Sequence, residues 1–244
     1  MNIEESNNLK LNLLIELLQD KNPHITEFIE QFRNLNQEIA IEYSVKISKN
    51  TITYDRIVIM IFHSASSQFT VDKVISTVEK YCFPKTCINL LVEKYSEARL
   101  NDFSIGFGIE NLSNRYKVYY QNKDHAPGVF SIKWTKQNFV VQKYLRNFRD
   151  LYKQKADYDE ESLIPKFITI ENYRTKVLEV LDTDTTATYL RVKDLYIKDL
   201  VEDITDLISL EKYNDLESLK KYPLGWISFG LSNKEKYLGL IFHF

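Results

Sequence analysis

Residues 115–121 read Arg-Tyr-Lys-Val-Tyr-Tyr-Gln. In an extended strand alternate residues share a face, so Arg115, Lys117, Tyr119 and Gln121 point one way while Tyr116, Val118 and Tyr120 point the other. One face is therefore cationic and aromatic. The theme recurs in Tyr189, Arg191 and Lys193, and again where Arg56 shares a face with Tyr54, Val58 and Met60. Just before that last strand, Glu42, Ser44 and Lys46 alternate with Ile41, Tyr43, Val45 and Ile47. Arg or Lys beside Tyr is the combination that a shared anion and an aromatic cage would need.

The use of these faces depends on where they turn. If the apolar faces pack under helices, the charged faces meet either solvent or the lumen of a closed barrel. A solvated face is the simpler account of any one strand. Three strands carrying the same residue types support the lumen equally well, and the two readings stand level on sequence.

The elements that must position these strands follow from periodicity. Leu11, Leu14, Ile15 and Leu18 mark a helix over 4–19, and Pro23 sits where a second helix, about 24–37, begins. IAIEYSVKI and TYDRIVIMIF, joined through SKNT, read as a hairpin, and a helix near 69–82 follows. CINLLVEKY, DFSIGFGIE, NRYKVYYQN and VFSIKW read as a strand meander. A helix is expected around 136–154, then a charged loop, ADYDEES, then strands at 166–173, 175–182 and 186–193. A long helical region, 194–221, precedes a last hairpin in WISFGLSNKEKYLGLIFHF. The order predicts an α+β fold of about ten mostly antiparallel strands. Closing them into an αββα barrel surrounded by helices would remove the sheet edges, and an open sheet with helices on one face is the alternative.

At 244 residues with 44% hydrophobic content, the chain suits one domain spanning 1–244. Lys plus Arg number 32 against 34 Asp plus Glu, so no overall charge draws it to nucleic acid or an anionic membrane. The 16 Tyr and 14 Phe favour pleated sheet, and 6 Gly with 5 Pro leave little linker composition. Cys82 and Cys87 match no zinc spacing and are expected as reduced thiols. The segment MNIEESNNLK is acidic and polar, unlike a signal peptide, and no stretch approaches a membrane span. A cytoplasmic monomer is expected.

Glu42-Tyr-Ser-Val-Lys46-Ile, the connection Ser48 to Thr53, and Tyr54-Asp-Arg56 with its apolar run resemble the first hairpin of cyanobactin peptide prenyltransferases, which carry Glu, Lys and Arg at similar spacings. SIGFGIENLSNRYKVYY resembles that family's next hairpin. Arg115-x-Lys117-x-Tyr119 is similar to strands of the wider αββα-barrel superfamily, as FGLSNKEKYLGLIFHF is to its last hairpin. The resemblance covers about half the chain. The chain is shorter than those relatives, which implies a trimmed barrel with one end open to a bulky peptide.

The resemblance implies transfer of a dimethylallyl or geranyl group from its diphosphate to a side chain of a ribosomally made peptide. It implies no tightly bound cofactor, with Mg²⁺ accompanying the diphosphate. Arg56, Arg115, Lys117, Arg191 and Lys193 would hold the diphosphate, Tyr119 and Tyr189 would shield the allyl cation, and Glu42 would be the general base. An ion pair with Lys46 or a neighbouring cation would equally account for Glu42. His24, His63, His125 and His243 form no ligand set. Asp199, Asp203 and Asp206 lie at i, i+4 and i+7 of the expected helix, a spacing that holds magnesium diphosphate in all-helical terpenoid enzymes. The strand content argues for a solvated acidic face instead. Two other functions compete: a non-catalytic barrel binding a hydrophobic or anionic small molecule, which does not need Glu42, and an interaction protein whose strands face a partner or single-stranded nucleic acid.

Overall fold

The computed structural model describes residues 2–18, 23–62, 70–99, 103–110, 115–122, 129–147, 173–182, 185–232 and 235–244. The chain is α+β, with antiparallel strands and flanking helices, as its periodicities predict. It falls into two compact units: Met1–Glu42, Asp55–Lys143 and Phe244 form the first, and Tyr43–Tyr54 with Tyr144–His243 the second.

The first unit opens with α1 (Ile3–Leu18), which buries Leu11, Leu14 and Leu18 on the expected face. Asn7 is buried on the same helix yet fully engaged. Its Nδ2 donates to Leu35 O (3.0 Å) and Gln37 O (2.7 Å), and its Oδ1 accepts from Ile39 N (3.3 Å). The side chain thus ties α1 to the start of β1 (Ile39–Ser48). Helix α2 (Pro23–Glu30) is shorter than the expected 24–37, and the chain turns at Asn34, whose φ of 61° is a left-handed conformation that ends helical runs.

The ladder of this unit runs β2 (Thr51–Phe62), β3 (Phe103–Glu110), β4 (Arg115–Asn122) and β5 (Val129–Trp134), each antiparallel to the next. Register places Ile57, Ile109, Tyr116 and Trp134 in one row and Ile59, Phe107, Val118 and Ile132 in the next. Helices cover this apolar face. Phe32 meets Phe107 at 5.4 Å, Tyr81 stacks on Tyr116 at 4.6 Å, and Phe83 abuts Trp134 edge-on at 4.9 Å. Trp134 Nε1 donates to Tyr81 O (2.9 Å) after α3 (Val71–Glu79), and Tyr120 Oη donates to Leu91 O (3.2 Å) of α4 (Ile88–Arg99). Both buried polar tips are therefore satisfied.

Helix α4 corrects the strand expected for CINLLVEKY. Cys87, Leu91 and Tyr95, four residues apart, are buried while Asn89, Glu93 and Glu97 are exposed, a helical period that the short apolar run conceals. A second correction concerns the helix expected at 136–154. Residues Phe139–Asn147 form strand β6, because Thr135 closes a tight turn: its amide donates to Asn138 O (2.8 Å) and its Oγ1 accepts from Gln137 and Asn138 amides. The turn sends the chain back as a strand and overrides its helical propensity. Residues 148–154, the ADYDEES loop and most of the 166–173 strand lie outside the described residues.

The second unit pairs the end of β6 with β7 (Tyr173–Asp182), then β8 (Thr185–Leu195), β9 (Leu224–Ser232) and β10 (Glu235–His243), all antiparallel. Leu190, Ile227 and Leu240 stand in one register row, wholly buried. The region expected as one helix, 194–221, is broken into a 3₁₀ turn at Ile197–Leu200, short helices Val201–Thr205 and Leu210–Asn214, and a 3₁₀ turn at Glu217–Leu219. The breaks have local causes. Asp194 has a φ of 55°, Asp199 Oδ2 accepts from Tyr196 N (2.8 Å), and Ser209 Oγ accepts from Lys212 N (3.4 Å), so capping groups stop and restart the chain. The Asp199, Asp203, Asp206 face does not exist as one helical stripe. Among the described residues no helix is long and apolar enough to cross a membrane.

Candidate functional site

On the other face of the first unit's ladder, register collects the polar residues. Arg56, Glu110 and Arg115 form one row; Val58, Gly108, Lys117 and Lys133 the next; Met60, Gly106, Tyr119 and Ser131 a third. The middle of this face is not solvated, although Arg115 at its end is 45% exposed. Lys117 is 6% exposed, Tyr119 8% and Ser131 0%, so the choice left open by the alternation resolves in favour of a buried polar face.

Two glycines leave room on this face for its neighbours' side chains. A Cβ on Gly106 would fall on Met60 Sδ, and one on Gly108 would come within 3.2 Å of Tyr119 Cε2, so these side chains lie across the two glycines. Tyr119 is laid over bare backbone in consequence. Lys117 Nζ stands 6.0 Å from the centre of its ring, within reach of a cation–π attraction.

Glu110 is the centre of the cluster. Its Oε1 lies 2.6 Å from Lys117 Nζ, and its Oε2 lies 3.7 Å from Lys133 Nζ and 4.0 Å from an Arg115 guanidinium nitrogen. Arg56 is directly opposite on β2. Burial alone would raise the carboxyl's pKa. The Lys117 and Lys133 charges, a hydrogen bond from Lys117 and the charge of Arg56 overcome that and bring it down to about 2. Lys117 and Lys133 are cross-strand neighbours, a like-charge pairing that a sheet tolerates only with a counter-charge between. Glu110 is that charge. Three cations within 4.0 Å of Glu110, with Arg56 opposite it on β2, make a set suited to a polyanion and not to a metal ion held by protein alone.

Of the residues expected to act, Arg56, Arg115, Lys117 and Tyr119 come together here. Glu42 is half-buried on β1, sharing its face with Ser44 and Lys46 as expected. Tyr189 and Arg191 lie on β8 in the second unit, where the Arg191 guanidinium sits 5.3 Å from the Trp226 ring. Lys193 is on the same strand, and its side chain, like His24, His63 and His125, falls outside the described residues. Lys46 Nζ lies 4.8 Å from the Tyr237 ring.

Glu110 and Lys133 carry the cluster's geometry, and the sequence reading assigned them no part. The signal for Glu110 was in the sequence: Asn111 to Asn114 have turn composition and lie outside the described residues, and Glu110 and Arg115, which flank them, pair across β3 and β4. Lys133 had none, since its face depends on β4–β5 register. Cys82 is exposed, Cys87 buried, and both are free thiols. Among the described residues no group of three or more His, Cys, Asp or Glu is placed to hold a metal ion. No protein-family model matches the chain, and no curated protein matches it.

Proposed function

We propose that the chain is a peptide prenyltransferase, moving a dimethylallyl or geranyl group from its diphosphate to a side chain of a ribosomal, cyclic peptide. One observation carries the reading: two mostly buried lysines, a half-buried Arg56 and an exposed Arg115 gather on one strand face with Tyr119 beside them. On this reading the ladders belong to a closed αββα barrel of about ten strands whose polar faces line its interior.

The chemistry that these residues would perform is ionisation followed by capture. The allylic C–O bond breaks with its electron pair passing to the diphosphate oxygen, and Lys117, Lys133, Arg115 and Arg56 stabilise the charge that develops there. Tyr119 presents its ring to the allyl cation and excludes water. The acceptor atom then donates an electron pair to the allyl carbon, and Glu42 takes the proton released. Mg²⁺ would enter on the diphosphate, since the carboxylate of Glu110 is already engaged by lysine. Arg191 and Lys193, as further diphosphate ligands, and Tyr189, as a second shield of the allyl cation, belong to the same proposal.

The test is mass spectrometry of the protein with dimethylallyl or geranyl diphosphate, Mg²⁺ and a library of cyclic and linear peptides. A gain of one prenyl unit, lost in Lys117→Ala and Glu42→Gln, is expected. Absence of product with folded protein and every donor would leave the second reading, a non-catalytic barrel. The pairing of both lysines with Glu110 favours that alternative, because an ion pair needs no reaction to account for it.

A further inference from the structure

Glu110 has no assigned chemistry in the proposed transfer, yet it sits where an anion's oxygen would sit. Its two oxygens face Lys117, Lys133 and Arg115, and its strand neighbour across the sheet is Arg56. These are the cations that the diphosphate reading needs. A carboxylate at 2.6 Å from Lys117 both blocks that ammonium group and holds it in place, and it removes the repulsion between Lys117 and Lys133.

We infer that Glu110 is an internal counter-ion, a stand-in for one anionic oxygen that keeps the lysines poised and gives them up when a diphosphate arrives. The inference rests on the diphosphate reading for its natural ligand, but the probe that tests it is inorganic pyrophosphate. Two consequences follow from charge. A monoanion offers the lysines nothing that Glu110 does not already give, so the site discriminates by charge. A polyanion gains more from the surrounding cations than the carboxylate does, at the cost of repulsion from it. Glu110 is thus a positioning residue that weakens binding while it selects the ligand.

A second observation points to a ligand on the same face. Ser131, wholly buried opposite Tyr119 and two residues from Lys133, has a hydroxyl with no hydrogen-bond partner among the described residues. Such a group is costly unless something accepts from it, and a phosphoryl oxygen would.

The experiment is calorimetric titration of the full chain and its Glu110→Gln variant with pyrophosphate, and separately with acetate, each protein first shown folded by circular dichroism. Pyrophosphate should bind the wild type and bind Glu110→Gln roughly tenfold more tightly, and acetate should compete only in the variant. A role confined to structure would lower affinity or leave it unchanged, and either result in folded variant overturns the inference. Pyrophosphate binding equal in both proteins would leave the diphosphate reading standing and remove the counter-ion. Binding to the variant alone would keep the counter-ion and remove the diphosphate reading, and binding to neither would remove both. Should Glu110→Gln not fold, the same comparison is made between Lys133→Gln and Glu110→Gln/Lys133→Gln, in which one fewer ammonium group needs neutralising; a tighter double variant supports the inference and an equal one refutes it.

Discussion

Replacing Glu110 by Gln keeps the shape of the side chain and removes its charge, so the loss should equal the electrostatic stabilisation that the cluster supplies. The carboxyl's pKa moves from 4.5 to about 2 on folding, which corresponds to about 3 kcal/mol at neutral pH. The sign follows from the direction: a depressed carboxyl contributes stability that is complete above the unfolded value and is lost as pH falls through the folded one. Urea unfolding followed by Trp fluorescence should therefore show Glu110→Gln less stable by about 3 kcal/mol at pH 7. That difference should persist down to about pH 4.5 and shrink toward zero as pH approaches 2. Replacing Lys117 by Met in the same variant should recover more than half of the loss, since the buried charge left behind is then gone too. A gap between wild type and variant that is the same at pH 7 and pH 2.5 would refute the reasoning, because it would assign the loss to packing.

Three further substitutions probe what surrounds the cluster. Gly106→Ala should cost about 1 kcal/mol in urea unfolding by displacing Met60, and Met60→Ala in the same chain should make the added methyl neutral. Trp134→Phe should cost about 2 kcal/mol, because it strips the donor from Tyr81 O and loosens the ring packing around Phe83; thermal unfolding by circular dichroism measures it. Tyr120→Phe should cost about 1 kcal/mol by the same measurement, with Leu91 O losing one of its donors and no packing volume changed.

Strand alternation made the Arg115, Lys117, Tyr119 face legible, because a period of two is fixed by backbone geometry and needs no partner. What the face met was not legible. Burial of Lys117 depends on its neighbours in space, and Lys133 reaches the cluster only through a register that the sequence does not encode locally. Glu110 was within reach, since a turn expected at 111–114, outside the described residues, would set it opposite Arg115, but an acidic residue at a strand end reads equally well as a solvated terminus. The errors in the elements share one cause. CINLLVEKY and KQNFVVQKYLRNF are short and rich in apolar residues, and such runs fit either period; the first was decided by helical burial of Leu91 and Tyr95, the second by a turn at Thr135. The 194–221 window kept its helical composition and lost its continuity to caps from Asp199 and Ser209, each a single side chain in competition with the backbone.

Ile41 and Phe244 exchange both backbone hydrogen bonds, at 3.4 and 3.0 Å, although most of the chain lies between them. During synthesis the β2–β5 ladder has all its strands well before Phe244 leaves the ribosome, while the start of β1 waits with that bonding edge bare. A nascent chain stalled in this interval presents an apolar strand, Ile39 and Ile41 included, to any other extended segment nearby. The Ile41–Phe244 pair closes over most of the described chain, and in refolding it is expected to form after the local hairpins of the β2–β5 ladder.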